Sequence, residues 1–412
     1  MGLLDTYYNQ PDRVLERILF AYMGCTFEGR GVLTWDQGRG FHVEAPLKRK
    51  GKLPRKIEFL KRSIIQKSDL CSIRMLERNS KCQIVISQIP MRDRFDVITQ
   101  DRLSLNVGRA LFYDHTPKSL QPKDTWKGIV LYRLRSKPIL PDNIQTEIRL
   151  DGEKIESGIS FSGIKYDSSD GHIIIGRMIN DNYLELLYEL PVDKWSWLEA
   201  WRWAKGAQFA LSFYLGESVV LLLRKFIKKS RTYTEVLNNI EPESLRSFSP
   251  TGNDPVIDRD NFITLSNFIA RNSHEAKACI KIFGQIAEVT RQYTWQAREL
   301  FLATILEAAL RTIEKKPFSE KDKSFRVDKA LKKFRNTHLS KDWKNTCNRV
   351  LKTQRKLRNR NAHPDWLYEE TGARSDKSRS DTLNDMIFLS RFYGDMIESM
   401  AGIKRSPPEL KT

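Results

Sequence analysis

The chain has no run of about 18 apolar residues, the length a helix needs to cross a bilayer. Its best candidate, 209–223, is interrupted by Ser212, Gly216, Glu217 and Ser218. Cysteine is sparse: Cys25, Cys71, Cys82, Cys279 and Cys347 lie far apart, with no CxxC pair. An odd, scattered set fits reduced thiols in a cytoplasmic setting and gives no zinc spacing. HExxH, a metal-spaced acidic cluster and a Ser-His-Asp cue are all missing, so neither metal nor other cofactor is expected. The glycines at Gly29, Gly31, Gly38 and Gly40 are not followed by Gly-Lys-Ser/Thr, which sets aside a phosphate loop. Residues 1–10 show no charged-then-apolar leader and carry Asp5, which argues against export.

Negative charge is also short. Against 70 Lys and Arg stand 51 Asp and Glu, a net charge of +19. A surface this basic attracts polyanions over long range, nucleic acid first among them and anionic membrane second. Neither terminus offers a basic amphipathic helix with a Trp-rich apolar face, so a membrane partner is not expected. At 412 residues with 40% hydrophobic content, the chain is long enough for two or three domains with real cores.

The pattern divides the chain into 1–190, rich in short strands; 191–262, a helical connector and linker; and 263–412, all helix. Arg13 to Phe20 reads as a short helix or an extended lead-in. Cys25 to Trp35 and Gly40 to Ala45 then form a hairpin across Asp36 to Arg39. The basic stretch Leu47 to Arg62 is a solvated loop or a phosphate-backbone track. Strands follow at Asp69–Leu76, Lys81–Ile89, Leu103–Tyr113, Thr125–Arg133, Gln145–Leu150, Ile159–Tyr166, His172–Met178 and Tyr183–Tyr188. Short strands at such intervals suggest a sandwich-like or barrel-like region. Trp195, Trp197, Trp201 and Trp203 crowd into nine residues, either filling a core or offering rings for stacked bases. Val219 to Ile227 continues the apolar run of the connector. Beyond the Pro- and Gly-rich linker, helices are expected at 263–270, 274–288, 293–315, 321–334, 343–362 and 381–400, enough for a bundle. The class is α+β multidomain, a β-rich region followed by an all-α bundle.

Residues 349–360 hold six Lys or Arg and no acid, and the string Arg358-Asn359-Arg360-Asn361-Ala362-His363-Pro364 closes the helix. A residue before proline is pushed out of the α region, so the helix should stop near Ala362 or His363. Its last carbonyls carry partial negative charge beside Arg358, Arg360 and His363. Asn359 and His363, four apart, can share a face. A permanent cation, an amide and a titratable imidazole at one helix end can hold a phosphodiester and move a proton. The plainer reading is a capped helix end with a solvated basic face. Arg271-Asn272-Ser273-His274 and Arg335-Asn336-Thr337-His338 also begin Arg-Asn, but reach His after only two intervening residues.

Arg358, Asn359 and His363, with Ala362 and Pro364, resemble the R-x4-6-H motif of HEPN domains, in the form found in ApeA-type anti-phage proteins. The resemblance implies a HEPN-like helical bundle that forms a homodimer and cleaves RNA, tRNA being one candidate, without metal. Each protomer would give one Arg and one His to a shared cleft. It implies antiviral defence by abortive infection, switched on by a phage-derived trigger or a guide or partner protein. His363 would transfer protons, Arg358 would meet the charge developing on phosphorus, and Asn359 would orient His363 or the substrate. Lys352, Arg355, Lys356 and Arg360 would hold the RNA backbone. A helical dimerisation scaffold in a non-catalytic nucleic-acid-binding or sensor protein is the rival, and a toxin silenced by an antitoxin a third reading. Glu307, on the helix expected at 293–315, is either a polar partner of the site or a surface residue.

Overall fold

The computed structural model describes residues 3–22, 25–36, 40–50, 71–77, 83–89, 102–107, 109–115, 124–150, 153–169, 171–228, 231–237, 240–245, 249, 251, 256–292, 294–316, 325–362 and 376–407. The architecture is mixed α+β, a strand-rich N-terminal region followed by a C-terminal helical bundle. The chain forms two compact units that interleave in sequence. The first comprises Met1–Arg133, Lys165–Trp197 and Val220–Glu241; the second comprises Leu134–Ile164, Leu198–Val219 and Pro242–Thr412.

In the first unit, helix α1 (Leu3–Tyr8) precedes strands β1 (Arg13–Tyr22), β2 (Cys25–Asp36), β3 (Gly40–Lys50), β4 (Cys71–Glu77), β5 (Gln83–Ile89), β6 (Arg102–Val107), β7 (Arg109–His115) and β8 (Thr125–Arg133). The hairpin of β9 (Asp142–Leu150) and β10 (Glu153–Asp167) belongs to the second unit as far as Ile164, and the first resumes with β11 (Ile173–Asn180) and β12 (Tyr183–Pro191). Two late strands, β13 (Val220–Lys228) and β14 (Arg231–Leu237), complete it. The strands of this unit follow one another in the order β6-β3-β2-β1-β4-β5-β7-β14-β13-β8-β12-β11. That order corrects the sandwich or barrel expectation: the strands extend one sheet, and among the described residues the order does not close. Local alternation is the same in all three architectures. What decides is long-range pairing, above all the β13–β14 hairpin inserted between β8 and β7.

Of the two forms open to Arg13–Phe20, the extended one is found, as strand, and its buried Leu15 and Ile18 lie three apart because the register against β2 shifts between them. A bulge of this kind breaks the two-residue alternation and imitates helical spacing. Val219 to Ile227 does not prolong the helix before it. Gly216, at φ 60°, ends that helix, and the apolar run becomes a strand buried between β8 and β14. Arg224 and Glu235 stand opposite each other on β13 and β14 and form a fully buried ion pair. The core of this unit links Tyr7, Leu15, Ile18, Phe41, Ile84, Phe112 and Leu223.

The second unit holds α2 (Trp197–Leu215) from Leu198 onward and then α3 (Arg259–Ala270), α4 (His274–Arg291), α5 (Trp295–Ile313), α6 (Val327–His338), α7 (Lys344–Ala362) and α8 (Asp376–Met400). Asp258, Ser273 and Thr294 cap α3, α4 and α5, each accepting a backbone N–H three residues on. Helix α5 is the hub, packing against α4, α6, α7 and α8. Its Leu302 carbonyl accepts the Tyr393 hydroxyl of α8 at 2.9 Å, and its Ala303 carbonyl accepts the Gln354 amide of α7 at 3.1 Å. Both bonds are buried, where losing either would leave a polar group unsatisfied at about 1–3 kcal/mol. The first fixes how α8 lies on α5, and the second how α7 does.

Candidate active site

The Gln354–Ala303 bond sets the register between α7 and α5. One turn further along both helices, Arg358 faces Glu307, with Nη1 3.6 Å from Oε2. The other oxygen of Glu307, Oε1, accepts from Arg311 Nε at 3.0 Å. The Arg311 guanidinium in turn lies 4.2 Å from the centroid of the Phe325 ring. A chain of contacts thus runs from α7 across α5 to the segment entering α6. The Arg358 side chain is 57% exposed, so its charge is presented to solvent.

Leu351, Gln354, Arg355, Arg358 and Asn359 recur every three or four residues on α7 and line one side of a groove of about 410 Å³. Phe325, Arg326, Val327 and Asp328 line the other. Arg326 and Asp328 form a two-point ion pair, Nε to Oδ1 at 3.2 Å and Nη2 to Oδ2 at 2.8 Å. That pairing holds the Asp328 carboxyl below the usual carboxylate range. Arg355 makes no hydrogen bond or ion pair among the described residues.

Of the residues the motif singles out, Arg358 and Asn359 therefore meet in one groove, together with Arg355. Lys356 turns instead to α8, where Nζ lies 2.6 Å from Asp385 Oδ2. Lys352 is exposed outside the groove. Arg360 continues the helical backbone, but its side chain, like the whole of His363, lies outside the described residues. Glu307 pairs with Arg358 but does not itself line the groove. Its i, i+4 spacing to Arg311 was readable in sequence; nothing there marked Phe325 or Asp328.

The two shorter Arg-Asn strings form helix ends. Asn272 takes a positive φ of 53°, Ser273 caps α4, and His274 meets the Thr312 carbonyl. His338 closes α6 with its ring 4.9 Å from that of Phe334, and burial pushes its imidazole below the ordinary range. Of the tryptophans, Trp195 and Trp203 are buried in the first and second unit respectively, and Trp203 Nε1 donates to Asn267 Oδ1 at 2.8 Å. Trp197 is exposed beneath the Lys228 ammonium, 4.2 Å from its centroid.

Among the described residues no three His, Cys, Asp or Glu side chains converge as metal ligands, and no helix is long and apolar enough to cross a membrane. No family model matches the chain, and no curated protein or solved structure matches it significantly. Fold and groove define a basic α+β protein whose helical bundle presents an arginine-lined cleft.

Proposed function

We propose that the chain is a metal-independent endoribonuclease of HEPN type, acting in antiviral defence as a homodimer whose two R-x4-H sites share one RNA phosphodiester. The observation that carries this reading is the placing of Arg358 and Asn359 in one groove, at the end of a helix whose sequence continues into His363. The net charge of +19 supports a polyanionic substrate.

RNA supplies its own nucleophile. One imidazole takes the proton of the 2′-hydroxyl as its oxygen bonds to the adjacent phosphorus. The second protonates the 5′-oxygen as the P–O5′ bond breaks, leaving a 2′,3′-cyclic phosphate and a 5′-hydroxyl. A single His363 provides one proton carrier, and two-fold symmetry provides the other. Arg358 compensates the charge that grows on the non-bridging oxygens.

End-labelled RNA incubated with the chain and with His363→Ala tests this. The parent should cleave in chelator and leave cyclic phosphate ends. The variant should lose at least about 100-fold in rate, the scale of general acid–base catalysis, with RNA affinity and dimer mass unchanged. Equal cleavage by the variant overturns the enzyme. Binding without any cleavage by the parent leaves the non-catalytic reading.

A further inference from the structure

The groove offers more than a cation at its helix end. Resting on the nuclease reading of Arg358 and Asn359, we propose that it is a nucleotide subsite, in which the base beside the scissile phosphate stacks on Phe325 and the adjoining phosphate is held by Arg355.

Phe325 is the one aromatic side chain lining the groove among the described residues. The Arg311 guanidinium lies 4.2 Å and the Lys316 ammonium 5.8 Å from the centroid of that ring, and neither residue lines the groove. Glu307 holds Arg311 in place, and Arg311 holds the ring. A flat ring held by cations at the border of the groove suits a stacked base, which every nucleotide can supply. The cations divide by role. Arg326 is engaged by Asp328, and Arg358 is shared with Glu307. Arg355, lining the same groove, is the guanidinium with no hydrogen-bond or ion-pair partner among the described residues. It is the one placed to take a phosphate without first giving up a carboxylate. A space of about 410 Å³ falls in the range that receives single small ligands, and a paired, stacked base has no free face to offer Phe325. The ligand is therefore a nucleotide of RNA whose base is out of the stack.

The test uses the full chain carrying His363→Ala, so that substrate survives, with fluorescently labelled single-stranded and duplex oligoribonucleotides as probes. Phe325→Ala should weaken single-strand binding about tenfold, within the range of a lost base stack, and leave duplex binding unchanged. Phe325→Leu, which keeps bulk without a flat face, should behave likewise, and Phe325→Tyr should bind as the parent does. Arg355→Ala should weaken both probes. Melting curves establish that each variant is folded, and Phe325→Leu decides should Phe325→Ala unfold. Unchanged single-strand affinity in the folded variants, or equal loss on both probes, overturns the subsite. These outcomes are separate from those of the nuclease reading. Phe325-dependent binding in a parent that never cleaves keeps the subsite and removes the enzyme; cleavage with Phe325-independent binding does the reverse.

Discussion

Glu307 and Arg358 face each other from neighbouring helices, Oε2 to Nη1 at 3.6 Å, and Glu307 commits its other oxygen to Arg311. The two pairings differ in what surrounds them. Arg358 is 57% exposed, whereas the Arg311 side chain is only 8% exposed. An exposed pair contributes about 0–1 kcal/mol, while removing one partner of a buried pair leaves an uncompensated charge in a poor solvent. Glu307 therefore stabilises the bundle chiefly through Arg311 and orients Arg358 almost incidentally.

From that asymmetry, Glu307→Ala should cost about 2 kcal/mol of unfolding free energy and Arg358→Ala less than about 0.5 kcal/mol. Urea denaturation of the two variants and their double mutant measures both numbers and the coupling. Equal costs would show that Arg358, not Arg311, is the residue Glu307 supports.

The basic residues of α7 should not contribute equally to RNA binding. Arg355 opens onto the groove, whereas Lys356 is held against Asp385 at 2.6 Å. Removing a cation that neutralises one phosphate reduces the slope of log K against log salt by about 0.7 for a single strand. Arg355→Ala should show that reduction, and Lys356→Ala should leave the slope nearly intact. A salt titration in which Lys356→Ala flattens the slope as much would place the RNA on the α8 side of the helix.

Asp395 on α8 gives the bundle a pH dependence. Burial, followed by the charge of nearby Glu398, raises its carboxyl to about 7. Glu398 is itself fixed by Arg405, at 2.7 and 2.9 Å, and by the Tyr214 hydroxyl at 3.2 Å. A folded-state value above the unfolded one means the native state binds the extra proton. The contribution is complete below about pH 4, where both states are protonated, and is lost as pH rises through about 7. Asp395→Asn should remove this loss and leave the variant more stable than the parent by about 1–2 kcal/mol above pH 7, since one unit is worth 1.36 kcal/mol and residual solvent screens part of it. Thermal melts across pH 4–8 would refute this if parent and variant ran parallel.

Much of this bundle was legible because helix signals are local. The three-four spacing of α5 and the basic run of α7 both lie within a turn or two of what they specify. The sheet was legible strand by strand but not as a whole, because nothing in 220–237 says that its hairpin will insert between β7 and β8, more than 80 residues earlier. Arg13 to Phe20 left helix and extended chain both open for a related reason, since the bulge between Leu15 and Ile18 is fixed by the partner strand. In the site, Arg358 and Asn359 were found by spacing along one helix. Phe325 and Asp328 reach the groove through the packing of α6 against α7, which no single window of sequence contains.

The same dependence on packing gives two glycines opposite behaviour. Gly206 lies in α2 and Gly284 in α4, both inside helices, where alanine is intrinsically better by about 1 kcal/mol. A Cβ on Gly206 would stand 2.3 Å from the Ser266 carbonyl oxygen and 3.2 Å from the Ala270 nitrogen, both backbone atoms of α3. Backbone cannot rotate away as a side chain can, so the two helices must part. They are tied there by the Trp203–Asn267 hydrogen bond and would lose packing on both sides of it. Overpacking of this kind costs about 1–3 kcal/mol, enough to exceed the helix gain. A Cβ on Gly284 meets nothing within 4 Å, so only the propensity acts. Gly206→Ala should therefore lower the urea midpoint and Gly284→Ala raise it, the two differing by about 2 kcal/mol or more. A Gly206→Ala variant as stable as the Gly284→Ala variant would mean that α2 and α3 do not approach as closely as Ser266 requires.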